Sequence, residues 1–260
     1  MFIDSHCHLD FPEFAADRSL LLKQAQAVGV KAIIIPAVEQ SRWGATQECA
    51  IQQQSVFFGL GVHPWYVHPH QDPEELHQAL MNWSAQERWV AIGEIGLDAY
   101  KPNYSQQQAA FLAQLRAAGA LDKPVMIHCV KAQQDVLEAL KTVQEEFPNL
   151  RGVIHGYGGS LEIAEQFIAL GFTVGVGGLI TRSKKLQRAV SNLPLSALLL
   201  ETDAPAMPLK GEDGAIEADN TPLNIPRIFD HLVALRSEAP EVLAKTIFDN
   251  TRSLFDLPAL

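Results

Sequence analysis

The feature that most constrains the fold is a repeated alternation of short apolar runs with longer segments of helical periodicity. The apolar runs lie at residues 2–5, 31–35, 56–61, 89–94, 124–128, 152–155, 172–176 and 197–201. Several of them, such as Ala-Ile-Ile-Ile at 32–35, are apolar without interruption, as strands of a parallel sheet covered on both faces are. The pattern therefore predicts about eight strand–helix units in an α/β fold.

The intervening segments have the spacing of amphipathic helices. Residues 19–28 place Leu21, Leu22, Ala25 and Val28 on one face, and Gly29 follows as a typical C-cap. Further helices are predicted at residues 106–118, 133–146 and 161–170. No linker rich in Ser and Gly and no internal repeat interrupts the alternation, so we expect a single domain over residues 1–260.

The turn after the first strand separates two architectures. An open doubly wound sheet usually carries a Gly-rich phosphate loop at that point. Here residues 6–10 read His-Cys-His-Leu-Asp instead. A closed (β/α)₈ barrel of the TIM type, with its chemistry at the C-terminal ends of the strands, is therefore the preferred prediction. The irregular segment 204–220, rich in Pro, Gly and acidic residues, is predicted to be a loop over that site.

Composition limits the kinds of binding partner and the cellular compartment that can be expected. The chain of 260 residues has 20 Lys and Arg against 30 Asp and Glu, a net charge of -10, which disfavours nonspecific binding to nucleic acid or anionic membranes. The three cysteines have no metal-knuckle spacing, so a disulfide framework is not expected. The sequence shows neither a signal peptide nor an apolar run of the roughly 20 residues that cross a bilayer. We expect a cytoplasmic protein without membrane contact, with a monomer favoured.

His6 and His8 are the first candidate metal ligands. Two residues apart on a strand, they would point to the same face, whereas Cys7 would point to the helices. An isolated His-x-His pair fits ordinary hydrogen-bonded histidines at a strand end equally well. The decision therefore rests on the rest of the chain.

Four further candidate ligands lie at the ends of later predicted strands: Glu94, His128, His155 and Asp203. Because strand ends of a barrel converge on one rim, all six side chains would form one cluster of four imidazoles and two carboxylates. This cluster predicts two divalent metal ions bridged by a carboxylate, with Zn²⁺, Mn²⁺ or Mg²⁺ among the candidates. Such a pair activates water, and Asp203 is the candidate to bind one ion and accept the proton of the attacking water.

Five segments of the sequence occur together in one known family. They are Asp-Ser-His-Cys-His-Leu at 4–9, Gly-Val-His-Pro at 61–64, Gly-Glu-Ile-Gly-Leu-Asp at 93–98, Pro-Val-Met-Ile-His at 124–128 and Glu-Thr-Asp-Ala-Pro at 201–205. In this order they resemble the signature segments of the TatD-related deoxyribonucleases, which are amidohydrolase-like barrels. The chain most resembles the less-studied bacterial branch of metal-dependent hydrolases, and the similarity runs from residue 4 to about residue 250.

The resemblance assigns roles to the candidate residues. It implies one cation on His6, His8 and Asp203, a second on His128 and His155, and Glu94 as the bridge. It also implies metal-dependent hydrolysis of phosphodiester bonds in DNA, usually from the 3′ end. His63 matches a family histidine that contacts the substrate phosphate or the leaving oxygen, although an ordinary role at a strand end is the alternative.

Some positions depart from the family pattern. Where the family often has an arginine after the His128 segment, this chain offers only Lys131, so a bidentate phosphate contact becomes a point charge. Residues 156–159 read Gly-Tyr-Gly-Gly, and Trp65 stands where a second histidine is common. Trp65 could stack a base or simply pack at the rim. The lysines at 184–185 could bind phosphate or form a solvated helix face.

Three functions remain open at the level of sequence. The first is a phosphodiesterase that acts on DNA through two-metal activation of water. The second is a hydrolase of ester or carbon–nitrogen bonds in a smaller substrate, including aminoacyl esters, which the missing arginine and the acidic charge favour somewhat. The third is a noncatalytic metal-binding protein, against which Asp203 argues because such a protein needs no water-activating base.

Overall fold

A computed structural model of the chain describes residues 1–83, 88–211 and 213–260. Strands and helices alternate along it. In chain order they are β1 (Phe2–Asp4), α1 (Arg18–Ala27), β2 (Val30–Pro36), α2 (Trp43–Ile51), β3 (Val56–Leu60), α3 (Pro73–Met81), β4 (Trp89–Asp98), α4 (Tyr104–Ala120), β5 (Val125–Val130), α5 (Gln133–Glu146), β6 (Gly152–Ile154), α6 (Leu161–Ala169), β7 (Phe172–Val176), α7 (Lys184–Asn192), β8 (Leu198–Leu200), α8 (Ile225–Val233) and α9 (Pro240–Leu254).

The eight strands form one parallel sheet in the order β1 to β8. Its first and last strands also meet, since the Ser5 amide donates to the Leu200 carbonyl at 3.0 Å. The buried Asp4 carboxylate ties the same seam by accepting from the amide of Thr202 at 2.9 Å and from its hydroxyl at 2.6 Å. The sheet therefore closes into a (β/α)₈ barrel, and the predicted fold class is confirmed.

Alternation along the strands divides the apolar residues into two cores. On β2, Ile33 and Ile35 pack in the outer core between sheet and helices, whereas Ala32 and Ile34 pack in the barrel interior. The interior is closed at the N-terminal end of the strands by three residues at and after the end of α9, namely Leu254, Phe255 and Leu257. Both faces of the sheet are thus covered, which explains the uninterrupted apolar runs.

Three boundaries near the candidate ligands were predicted wrongly. The runs ending at Glu94 and His128 continue, because β4 and β5 stay paired as far as Asp98 opposite Val130. His6 and His8 do not lie in a strand, because β1 ends at Asp4. They follow it in an extended segment that joins the chain after β8 through a Cys7–Ala204 bridge.

The predicted helices lie close to their expected positions. Helix α5 has the predicted bounds, and α4 extends the prediction by two residues at each end. Cys7 packs in the outer core, as the alternation predicts. Within the part of the chain that the structure describes, no helix is both long and apolar enough to cross a membrane.

Candidate metal centre

Strand alternation brings three candidate functional side chains into the barrel. Residues two apart on a strand share a face. Three such pairs run from the inner core towards the rim: Met126 with His128, Val153 with His155, and Leu199 with Glu201. The sequence prediction included the two histidines but missed Glu201, which lies just beyond β8 and is completely buried. Counting by two from Leu199 would have found it.

Glu94 reaches the interior through an irregularity in β4. Ile92 and Ile95 are three residues apart, yet both pack in the outer core, where strict alternation would place them on opposite faces. The pairing with β5 shifts register between these two residues, so the chain there has one residue more than regular pairing needs. The shift turns the Glu94 side chain inward.

The buried Glu94 carboxylate lies at the centre of five imidazoles. Its Oε2 atom is 3.2 Å from His6 Nε2 and 3.5 Å from His8 Nε2. Its Oε1 atom is 3.2 Å from His63 Nε2, 3.2 Å from His128 Nδ1 and 2.7 Å from His155 Nε2. Each oxygen thus faces its own group of histidines, which is the arrangement that a carboxylate between two cations requires.

Asp203 belongs to the Oε2 side of this cluster. Its Oδ1 atom is 3.4 Å from His8 Nε2 and 3.6 Å from His6 Nε2. Its amide donates to the His6 carbonyl at 2.8 Å, and its backbone has a left-handed φ of 56°. The segments that follow β1 and β8 therefore jointly hold this side chain at the rim.

Unpartnered buried atoms test whether these residues fit a cation. Nδ1 of His6, Nδ1 of His8 and both ring nitrogens of His155 lack hydrogen-bond partners, as does Glu201 Oε2. His155 Nε2 lies within 2.7 Å of Glu94 but without hydrogen-bond geometry. Orphaned buried polar atoms are costly, and imidazoles mixed with carboxylates are ligands of divalent transition metals. The residues present fit such ions.

Three groups of side chains have ligand atoms close enough to share an ion. They are His6 with His8 and Asp203, His63 with Glu94 and His128, and His6 with His155 and Glu201. The first group coincides with one predicted ligand set. The other two include His63 and Glu201, which were not in the predicted ligand set.

The electrostatics of the cluster also call for positive charge. Burial alone would raise the pKa of Glu94, but the charges of His155 and His63 hold it well below its usual value. Burial alone would lower the pKa of His155, but the charge of the Glu94 carboxylate 2.7 Å away outweighs it and raises that pKa to about 10. Without a cation, an imidazolium thus balances the carboxylates.

The hydrogen bonds of two histidines indicate different roles. His128 directs Nε2 to the Asp98 carboxylate at 3.3 Å, so its proton belongs on Nε2 and its Nδ1 lone pair is free for a metal. His63 Nδ1 instead accepts from the Trp65 amide at 3.1 Å, so a neutral His63 carries its proton on Nε2. This tautomer makes His63 a donor rather than a ligand.

Asp98 is a second residue that the sequence prediction missed. It is almost fully buried, and its Oδ2 atom accepts from the Trp65 indole at 2.6 Å as well as contacting His128. Trp65 is nevertheless 55% exposed. Asp98 therefore connects an exposed aromatic ring with a buried candidate ligand. Because the prediction ended β4 at residue 94, nothing in the sequence pattern placed Asp98 at the rim.

A cavity of about 150 Å³, here called the metal-site cavity, opens over the cluster. Trp65, Tyr66 and Phe11 line it together with Pro205 and Ala206, which start the segment predicted to cover the site. Within that segment, residue 212 lies outside the described residues. Lys131 does not line this cavity but a neighbouring one, on the other side of His155.

Comparison with known proteins identifies the family. The profile described as TatD related DNase matches residues 3–256, nearly the whole chain. The chain belongs to the TatD-related DNase family. The resemblance inferred from the five sequence segments is confirmed, and with it the expectation of a hydrolase.

Relatives in this family match along almost their entire length. The chain is 40% identical over 263 residues to the uncharacterized metal-dependent hydrolase YjjV of Escherichia coli K12, covering 99% of this chain and 98% of YjjV. The crystal structure of that TatD homologue superposes with a TM-score of 0.89, again covering 99% and 98% of the two chains. The 3′-5′ ssDNA/RNA exonuclease TatD of Yersinia pseudotuberculosis is 30% identical, covering 98% of this chain and 99% of the exonuclease.

Proposed function

We propose that this TatD-family protein hydrolyses phosphodiester bonds at the 3′ end of single-stranded DNA with two divalent metal ions. The observation that carries the proposal is the central Glu94 carboxylate, whose two oxygens face two separate groups of imidazoles. Family membership and the exonuclease names among the relatives support the choice of substrate.

His6, His8 and Asp203 would hold one ion, His128 and His155 the other, and Glu94 would bridge them. His155 lies between Glu94 and Glu201, which makes Glu201 a further candidate on that side. When bound, the ions lower the pKa of water and neutralise charge that develops on the phosphate oxygens.

Asp203 is placed to accept the proton of the attacking water. Burial alone would raise its pKa, but the hydrogen bond with His8 and the charges of His155 and His6 lower the pKa below its usual value. The carboxylate is therefore ionised at neutral pH and able to take a proton. Its position at the open end of the cluster leaves it accessible from the metal-site cavity.

His63 and Trp65 would act on the substrate. With its proton on Nε2, His63 can donate to the leaving oxygen or to a phosphate oxygen. The exposed Trp65 ring at the cavity rim offers a stacking surface to a base, and its bond to Asp98 fixes its orientation.

The test uses metal-stripped protein supplied with Mg²⁺, Mn²⁺ or Zn²⁺ and end-labelled single-stranded DNA. We expect one of these ions to restore stepwise shortening from the 3′ end. The Asp203→Asn variant should retain metal by elemental analysis yet cleave at least roughly 10²-fold more slowly, because the proton acceptor is lost. Equal cleavage by this variant would remove Asp203 from that role.

One observation favours the second candidate, hydrolysis of an ester or amide in a smaller substrate. The residues that line the metal-site cavity include neither Lys nor Arg. A phosphate chain would therefore depend on the metals or on neighbouring surfaces. If DNA is not cleaved while both metals stay bound, activity on uncharged aryl esters would support this alternative.

A further inference from the structure

A second cavity lies beside the metal-site cavity and is here called the basic cavity. It has a volume of about 290 Å³, and its lining includes Lys131, Gln133, Lys185 and the Gly-Tyr-Gly-Gly turn at 156–159. His155 lines both cavities and separates them. Anything bound in the basic cavity would thus lie one imidazole away from the metal centre.

The charge of the basic cavity is opposite to that of the chain. None of the residues that line it is Asp or Glu, although the chain has a net charge of -10. Lys131 and Lys185 are both exposed. The charge of Lys185 acts on the exposed Glu162 carboxylate, whose pKa it helps to lower, but Glu162 does not line the cavity. Two cationic side chains therefore line one space that no carboxylate lines.

Two helices add to the positive potential. Gln133 is the first residue of α5, and Lys185 is the second residue of α7. The first turn of a helix has amide groups without partners within the helix and carries a partial positive charge. The basic cavity is therefore bordered by two helix N-terminal ends as well as by two lysines, a combination that suits phosphate.

We propose that the basic cavity binds the phosphate that adjoins the scissile phosphate on its 5′ side. This inference rests on the proposed function, and it assigns to the site two successive phosphates of an oligonucleotide. Lys131 and Lys185 together supply, as two point charges, the contact that a single arginine could supply as a fork. Lys131 binds substrate in this cavity rather than at the metals.

The test compares two substrates on the metal-loaded enzyme. They are a thymidine dinucleotide, which has one phosphate, and its 5′-phosphorylated form, which has two. We expect Lys185→Ala to raise KM about tenfold for the phosphorylated dinucleotide only, since a charge-assisted phosphate contact is lost. Lys184→Ala is the matched control, because Lys184 is the adjacent exposed lysine and does not line the cavity.

The outcomes separate this inference from the proposed function. If both dinucleotides are hydrolysed and Lys185→Ala behaves like Lys184→Ala, the basic cavity does not bind phosphate and the proposed function stands. If wild-type protein hydrolyses neither, the proposed function fails, and equilibrium dialysis with labelled inorganic phosphate decides the cavity. The double variant Lys131→Ala/Lys185→Ala should then bind one phosphate fewer than Lys184→Ala, and equal binding would overturn the inference.

Discussion

The two ends of the barrel interior differ in chemistry. At the N-terminal end of the strands the interior is apolar and is closed by Leu254, Phe255 and Leu257. At the C-terminal end it contains buried histidines and carboxylates, several with unpartnered atoms. Burial of apolar surface stabilises a fold, whereas burial of unpartnered polar groups destabilises it. The closed end therefore provides stability, and the open end provides chemistry that the closed end must support.

The largest expected effect comes from breaking the open end at Glu94. In Glu94→Ala, both groups of imidazoles lose their shared carboxylate, so we expect loss of bound metal and a fall in turnover of roughly 10³-fold. The chain should still fold, because the apolar end is unchanged. Elemental analysis measures metal content, circular dichroism measures folding, and the DNA assay measures turnover.

The matched control for this variant is Glu146→Ala, which removes an exposed carboxylate paired with Arg116 on the outer surface. It should keep full metal content and full activity. Two metals retained by Glu94→Ala would contradict the bridging role.

The next largest effect is expected at the closed end, where a substitution should lower stability and leave catalysis intact. Phe255 is among the largest fully buried side chains and packs in the inner core. Phe255→Ala should lower the free energy of unfolding by about 3–5 kcal/mol, because a cavity replaces the ring. Turnover per folded molecule should stay unchanged. Urea denaturation gives the free energy of unfolding, and activity normalised by active-site titration gives the turnover per folded molecule.

Val242→Ala on α9 is the control, since Val242 is 52% exposed and should change stability little. A Phe255 variant that folds stably but loses metal would show that the two ends are not independent.

The smallest expected effect concerns Asp98, which hydrogen-bonds a candidate ligand at the open end without being one itself. Asp98→Asn weakens the partner of His128 without removing any candidate ligand, so we expect metal affinity to fall about tenfold. Trp65→Phe removes the hydrogen bond that the indole donates to Asp98 and serves as the comparison, with metal affinity unchanged. Competition with a chelating dye measures both affinities. Similar losses of metal affinity in the two variants would show that the effect comes from general disturbance of the rim and not from the contact between Asp98 and His128.

Features of the fold and the site that depend on local sequence patterns could be predicted, whereas features that depend on pairing between distant residues could not. The strands and their order were predictable, because residues such as Ile33 and Ile34 are buried on opposite faces of a covered sheet. The positions of His128 and His155 at strand ends were predictable too, because each follows one of the apolar runs directly. Asp98 and the inward turn of Glu94 were not, because they depend on how far β4 pairs with β5 and where its register shifts.

Some expectations from the sequence stay predictions. These are the single domain over residues 1–260, the assignment of individual ligands and substrate contacts, and the identity of the metals. The position of Lys131 illustrates the limit, because a motif gives its distance along the chain from His128 but not the side of His155 on which it lies.

The seam between β1 and β8 has a consequence for how the protein is made. Asp4 and Thr202, which hydrogen-bond there, are 198 residues apart. At a ribosomal rate of about 5–20 residues per second, the N-terminal histidines would wait on the order of 10–40 s before their partners from the far end of the chain exist. Assembly of the complete residue cluster is therefore a late event in biosynthesis, and a nascent chain that stops before residue 203 carries His6 and His8 but not the Asp203 carboxylate that faces them.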